Sequence, residues 1–315
     1  MLHIRRLRKK PRLLRSLTGC TLSQFTELAA RLEPVWEAAE RQRLARPKRK
    51  RAIGAGHPYA LPETPDKLLL LLVGWRHALT HELLGCLFDL DQSNCTRLIH
   101  RLSPLIERAA DPGLRTFLRD AGKQHRKIGT MEDFLKAVPE LAEILGDATE
   151  QPRRRPKGKR GRKKFYSGKK RSHTLKAEVI ATPRGKILFV SDSYPGRAHD
   201  KTIHEKEKLP WLIPKKTRQY YDRGYNGLAG DYPDHDIRLP HQRKHVTRKI
   251  CAPLTRGQKQ ANALHAKRRI PIEHVFCRMK RFRILSVVWR SRDEWHNPTF
   301  RAIAALTNFH LSCPA

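Results

Sequence analysis

The chain has 315 residues, enough for a catalytic domain of ordinary size with one or two small appendages and a real hydrophobic core. Its 66 Lys and Arg stand against 30 Asp and Glu, a formal charge of +36 that solubility does not require and that calls for a polyanionic partner, by default nucleic acid. No apolar run approaches the length of a transmembrane helix and no signal peptide opens the chain, so membrane functions are excluded and a soluble, cytoplasmic protein is expected.

Residues 1–15 are basic and their leucines lack a sustained period, which predicts an arm ordered only on a partner. Thr21 and Gln24 form a capping-box signature, followed by Leu22, Phe25, Ala29, Leu32, Trp36 and Ala39 at helical spacing, with Pro34 expected to kink or split the helix. That stripe serves self-association or, more simply, packing within its own domain. The segment Arg46 to Pro62 reads as a linker with a basic cluster, Pro47-Lys48-Arg49-Lys50-Arg51, which is weak support for nuclear import in so basic a chain.

Thr64 and Pro65 can start a helix running to Trp75, and a second begins near Thr80 and carries Leu83, Leu84 and Leu87. Asp91 can cap a third, with Cys95, Leu98, Ile99 and Leu102 on its inner face. This is a helix-turn-helix pattern, and Gln92, Ser93, Asn94 and Arg97 are the side-chain types that reach base edges and phosphates from such a helix. A structural three-helix bundle is the alternative in a neutral protein; the charge favours DNA docking.

A short apolar run from Leu141 to Gly146 ends at Asp147, and Arg or Lys then fills nine of the twelve positions 153–164. That run is a solvated loop on its own, or a grip on flanking phosphates if Asp147 is catalytic. His173 to Thr182 and Lys186 to Ser193 read as a hairpin turning at Pro183-Arg184-Gly185, Thr217 to Tyr221 as a third strand ending at Asp222, and Ile237 to Leu239 as a short fourth. Residues 256–283 and Pro298 to Leu311 are expected as helices, and strands followed by helices predict a mixed α/β domain. Pro271 suits the first position of a helix, which would make Glu273 a first-turn carboxylate and leave Arg269 just outside.

The six cysteines, at 20, 86, 95, 251, 277 and 313, show no disulfide-framework spacing, and with Cys86, Cys95 and Cys277 among apolar residues they read as reduced core thiols. His274 with Cys277, and His310 with Cys313, could in principle complete a zinc site, although helix faces supply such pairs by accident.

Asp147, Asp222 and Glu273 are three hard oxygen ligands of the kind that suits Mg²⁺. Two such ions about 4 Å apart can serve an in-line phosphoryl displacement. The Asp222-Arg223-Gly224-Tyr225 motif, the Arg269, Glu273, Lys280 spacing, Tyr166-Ser167-Gly168-Lys169-Lys170, His173-Thr174-Leu175-Lys176, Pro195-Gly196-Arg197-Ala198-His199-Asp200 and Asn262 together resemble the DDE transposases of bacterial insertion sequences, in the insertion sequence 5 family, from about Pro65 to Leu311. The family's Tyr, two residues, Arg, three residues, Glu, six residues, Lys pattern would place its Tyr at Ala266, a departure. Asp200 competes with Asp222 as second acid, and Asp222 is preferred because it ends a strand whereas Asp200 most simply caps a helix.

The resemblance implies a basic arm, helix and linker over 1–60, a helix-turn-helix DNA-binding domain over 61–135 and an RNase H-like mixed-sheet catalytic domain over 136–315. It implies catalysis and metal binding by Asp147, Asp222 and Glu273 with two Mg²⁺, for which Mn²⁺ can substitute, and DNA contacts by Arg269, Lys280, Lys169 and Lys170 besides the helix-turn-helix residues. The expected activity is cleavage at element ends and strand transfer into target DNA, by a nucleoid-associated protein for which a homodimer is admissible. A catalytically silent DNA-binding derivative and a general RNase H-like nuclease are the rival readings.

Overall fold

A computed structural model describes residues 2–45, 59–125, 127–128, 130–243 and 252–313, so the basic cluster at 47–51 lies outside the described residues. The chain packs as two compact units, one formed by 1–113 with 278–315 and the other by 114–277.

The first unit is helical: α1 (Ile4–Arg8), α2 (Pro11–Thr18), α3 (Leu22–Leu44), α4 (Thr64–His77), α5 (His81–Phe88) and α6 (Gln92–Ala110). The expected N-terminal arm is instead α1 and α2. Ile4, Leu7 and Leu14 are buried, and the Ile4 N–H donates to the buried Asp66 carboxylate at 2.8 Å. Helices of five and eight residues are too short to display a period, so tertiary burial orders them rather than propensity. The Thr21–Gln24 capping box makes both its bonds, and α3 runs through Pro34 unbroken. Pro34 and Ala30, whose carbonyl loses its donor, both lie on the exposed side where water can replace the bond.

Thr80 caps α5 through the Leu83 N–H. The turn into α6 is closed by Asp89 in the left-handed region (φ 57°) and by the Leu90 N–H donating 2.9 Å to the Gly85 carbonyl. A β-carbon at Gly85 would stand 2.2 Å from the Leu90 carbonyl oxygen, so this tight turn requires glycine. Asp91 takes the N-cap position of α6, but its side chain makes no capping bond; its backbone carbonyl accepts from Asn94 and Cys95 instead.

The second unit opens with α7 (Phe117–His125) and α8 (Met131–Ala137) and then builds the sheet from β1 (Glu143–Pro152), β2 (Tyr166–Ser167), β3 (Ser172–Ala181), β4 (Ile187–Val190), β5 (Tyr194–Pro195), β6 (Arg218–Tyr220) and β7 (Ile237–Arg238). Between and after these strands come α9 (Lys159–Phe165), α10 (Asp200–Lys206), α11 (Leu209–Leu212), α12 (Leu228–Asp231) and α13 (Arg256–Lys280), whose last turn passes into the first unit. The sheet order is β2-β3-β1-β6-β7, with β4 and β5 also pairing with β3. β1 is antiparallel to β3 and parallel to β6, and β6 is parallel to β7, a curled mixed sheet of the RNase H-like kind. Phe134, Leu141, Ile144, Ile180, Leu209 and Tyr221 belong to the core on which the sheet packs.

Two expectations need correcting. β1 does not end at Asp147 but continues to Pro152, paired with β3 as far as Thr174. Its second half buries Thr149 and Gln151, polar residues that conceal a strand from a hydrophobicity pattern. α13 does not begin at Pro271; the proline sits inside a helix of 25 residues, so Glu273 is not a first-turn capping acid. The final helix, α14 (His296–Ser312), packs on α6 in the helical unit, because Phe300, Ile303, Leu306 and Phe309 all need cover. No helix among the described residues is long and apolar enough to cross a membrane.

Candidate active site

The parallel pairing of β1 with β6 sets Leu145 opposite Tyr220, so Asp147 on β1 and Asp222 just past the end of β6 each stand two residues beyond that pair. Asp222 leaves the sheet and turns: its carboxylate accepts the Gly224 N–H at 2.8 Å and starts a single 3₁₀ turn through Tyr225. Asp200 comes to the same place from α10. A β-carbon on Gly224 would lie 2.2 Å from Asp200 Oδ2 and 2.9 Å from Asp222 Oδ1, so these two carboxylates flank a position where no side chain fits. Asp200 is not a helix cap, since His199 holds that position; it accepts from Lys176 Nζ at 3.0 Å. Lys176 also donates to the Ala198 carbonyl at 2.9 Å and lies 3.5 Å from Glu150.

Asp147 Oδ2 pairs with Arg269 Nη2 of α13 at 3.0 Å, and its Oδ1 accepts the Ala148 N–H. Burial pushes the Asp147 carboxyl up to about 6, the Arg269 guanidinium opposes that, and the charges of Asp222 and Asp200 add to the rise. One turn before Arg269, burial lowers the pKa of the His265 ring, which faces the Arg238 carbonyl at 3.1 Å. Asn262 anchors the same helix by exchanging two hydrogen bonds with the His241 backbone, at 2.7 and 3.0 Å.

Glu273 is exposed, one turn beyond Arg269 on the same side of α13, while Ile272, Val275 and Met279 form the buried side. Among the described residues, three potential metal ligands with donor atoms all within 4.8 Å of one another occur only at His3, Glu63 and Asp66, so the ligand atoms of Asp147, Asp222 and Glu273 are not drawn that close together.

Of the residues read as DNA contacts, Gln92, Ser93, Asn94 and Arg97 are exposed at the start of α6, with Arg97 held by Asn94 at 2.9 Å. Lys169 and Lys170 are exposed in the turn between β2 and β3, and Lys280 is the last residue of α13. The two His-x-x-Cys pairs belong to different units, and His310 lies 3.3 Å from the Cys20 sulfur instead; Cys20 and Cys95 are buried, but Cys86 and Cys277 are exposed on their helices and are not core thiols.

A buried network was missed by sequence reasoning. Glu178, fully buried, lies 2.8 Å from His204 Nδ1 and accepts from the Tyr225 hydroxyl at 3.0 Å, tying β3 to α10 and to the turn that carries Asp222. Burial raises the pKa of Glu178, and the neighbouring His204 opposes this. The signal was present in β3, where Thr174, Lys176 and Glu178 recur at every second position among apolar residues.

Comparison with known proteins adds the following. A family model described as DDE superfamily endonuclease matches residues 146–308, just over half of the chain, and one described as the helix-turn-helix of DDE superfamily endonuclease matches 59–112. The chain is 26% identical over 252 residues to a probable transposase for insertion sequence element IS702 of Microchaete diplosiphon, covering 79% of this chain and 82% of that protein. It is also 26% identical over 262 residues to a candidate transposase for insertion sequence element IS112 of Streptomyces albus G, covering 83% and 85%. No solved structure matches it. With Asp147 on β1, Asp222 just past β6 and Asp200 beside it, and a helix-turn-helix in the same chain, the protein belongs to the DDE superfamily endonucleases.

Proposed function

We propose that the protein is a transposase, which binds the terminal repeats of a mobile element, cleaves DNA at those ends and joins the freed 3′-hydroxyl to target DNA. The observation that carries this reading is the placement of Asp147 on β1 and Asp222 just past β6, each two residues beyond the Leu145–Tyr220 pair, with Asp200 beside Asp222 and the Glu273-bearing helix held to Asp147 by Arg269. Burial raises the Asp147 pKa and the charges of Asp222 and Asp200 add to the rise, so a hard divalent cation beside these acids would favour the ionised carboxylate, and an all-oxygen donor set fits Mg²⁺, or Mn²⁺ in its place. Asp147, Asp222 and Glu273 are the residues that would hold two such ions. Bound there, they would stabilise the negative charge that develops on the phosphate oxygens during in-line displacement.

The chain's own residues do the rest. Asp147 must be ionised to act, which neutral pH ensures because its pKa is about 6. Arg269, whose guanidinium already reaches the acid cluster, orients a phosphate oxygen near the scissile bond, and Lys280, Lys169 and Lys170 hold flanking phosphates. Lys176 fixes Asp200, and the Glu178, His204 and Tyr225 network fixes the turn that presents Asp222. Gln92, Ser93, Asn94 and Arg97 read the repeat from the first turns of α6. Two element ends call for two copies of the chain, hence a homodimer acting on DNA in the nucleoid.

The test uses the purified full chain with duplexes bearing the element's ends, matched against scrambled duplexes, with Mg²⁺. Cleavage of the matched ends alone is expected, and alanine at Asp147, Asp222 or Glu273 should lower it by about 10³-fold or more while gel shifts persist. Strand transfer retained in any of the three variants sinks the assignment of that residue; wild-type protein that shifts the ends but leaves them uncut sinks the catalytic reading.

A further inference from the structure

A cleft of about 680 Å³ opens on the sheet unit beside β2, away from the carboxylates. Arg155, Arg162, Lys163 and Arg197 supply four cations to its wall, and Tyr166 and His173 supply two rings. The Tyr166 ring is 45% exposed, an unusual position for a large aromatic side chain, and it meets His173 edge-on with centroids 5.7 Å apart, so a face is left open to the cleft. Burial and the surrounding arginines hold His173 below its ordinary pKa, so at neutral pH it is a flat uncharged ring and not a fifth cation. Arg162 donates from Nη2 to the Lys157 carbonyl at 3.2 Å, while its buried Nε has no partner among the described residues.

We infer that this cleft binds an unpaired nucleotide of the DNA strand engaged at the active site, its base stacked on Tyr166 and its phosphates held by Arg155, Arg162 and Arg197. A hollow of this volume is that of a small-molecule pocket and has room for one nucleotide. Chemistry decides against a simple phosphate clamp, because a clamp needs the cations and has no use for an exposed ring, whereas cations combined with a stacking face are the two components of single-strand recognition. Position completes the argument. The His173 backbone carbonyl accepts from the Arg153 N–H at 2.8 Å, and Val179 is the β3 residue opposite Asp147, so the cleft lies six residues, on the order of 20 Å, along the strand from the acid. Its occupant is therefore a nucleotide in the flank of the reacting phosphate and not the scissile one. Arg197, three residues before Asp200, lies on the connection that joins the two places.

This inference rests on the reading of the sheet unit as acting on DNA, and the experiment separates the two. The full chain, without divalent metal, is titrated with a blunt duplex and with a duplex of the same sequence whose end is forked into unpaired thymidines on both strands. Wild-type protein should prefer the fork by about ten-fold, the share one stacked base supplies. Tyr166→Ala should bring the ratio close to one, and Tyr166→Phe, which keeps the ring, should retain it; the Tyr166 side chain is itself exposed, and melting curves of both variants confirm folding. Equal binding of fork and blunt duplex by wild type overturns the inference while leaving the DNA reading standing, as does a preference that survives in Tyr166→Ala. Failure of wild type to bind either duplex overturns both.

Discussion

Replacing Asp147 by Asn should stabilise the protein while it destroys activity, and the size of the gain follows from the site. Asp147 is raised from 3.8 to about 6 by burial and by Asp222 and Asp200, after the opposing effect of Arg269 is included. For an acid whose folded pKa lies above its unfolded one, the unfolded state releases its proton first. Its favourable contribution is therefore complete below pH 4 and is lost as pH rises through 6. At pH 8 the ionised carboxylate consequently costs about 3 kcal/mol relative to a neutral one, and at pH 5 about half of that. The side chain is only 20% exposed, so solvent screening does not erase the effect. Asn has nearly the same shape and never ionises. In chelator, without divalent cations, Asp147→Asn should melt several degrees above wild type at pH 8, by roughly 2–4 °C per kcal/mol for a unit of this size, with the gap shrinking towards pH 5. Thermal melts of both proteins across that pH range measure it. A variant less stable than wild type at pH 8, or a gap that does not change with pH, would refute the claim that burial, with Asp222 and Asp200 nearby, makes the ionised Asp147 costly.

Gly85→Ala places a β-carbon 2.2 Å from a backbone oxygen in the turn before α6, which should cost 1–3 kcal/mol or more in the stability of the helical unit and weaken binding to the ends. Gly122→Ala on α7, where nothing stands within 4 Å, is the control and should be neutral or stabilising by up to about 1 kcal/mol; denaturant melts and gel shifts read both. Burial lowers His296 to about 3 and His310 to about 4, below the ordinary 6.5, so their contribution is whole above pH 6.5 and declines as pH falls. At pH 5 each should cost the helical unit about 2 kcal/mol, and denaturant titrations at pH 7 and pH 5 should show a loss that His296→Gln reduces by roughly half.

What could be read in the sequence was what local periodicity encodes. The capping box at Thr21, the α4 to α6 helix-turn-helix and the β3–β4 hairpin depend on neighbours a few residues apart, and they appear where the pattern puts them. Residues 2–18 escaped because their two short helices exist by burying Ile4, Leu7 and Leu14 and by reaching Asp66, 62 residues from Ile4. The polar scaffold of the site was hidden for the same reason: Lys176 meets Asp200 across 24 residues, and Glu178 meets Tyr225 across 47. Only the alternation of Thr174, Lys176 and Glu178 hinted that one face of β3 had something to hold other than apolar core.

Pro271 shows how a sound local rule fails where tertiary contacts favour the other outcome. Proline is well placed at a helix start and costs about 3 kcal/mol in an interior, which favours starting the helix there. The segment before it buries little: Leu264 is 64% and Ile270 43% exposed. That half of α13 is held by specific bonds instead, Asn262 to the His241 backbone and Arg269 to Asp147, and these make the helix continuous despite the proline. At about 100° per residue, Pro271 lies on the order of 200° around from Arg269, so the bond it removes faces away from the acid cluster. Arg269, Glu273 and Lys280, at i, i+4 and i+11, then form one stripe of a single helix, whereas a start at Pro271 would have left Arg269 in the approach. The spacing of those three residues is thus a property of one helix, and the 3.0 Å pairing of Arg269 with Asp147 fixes the part of it that carries Glu273 against β1.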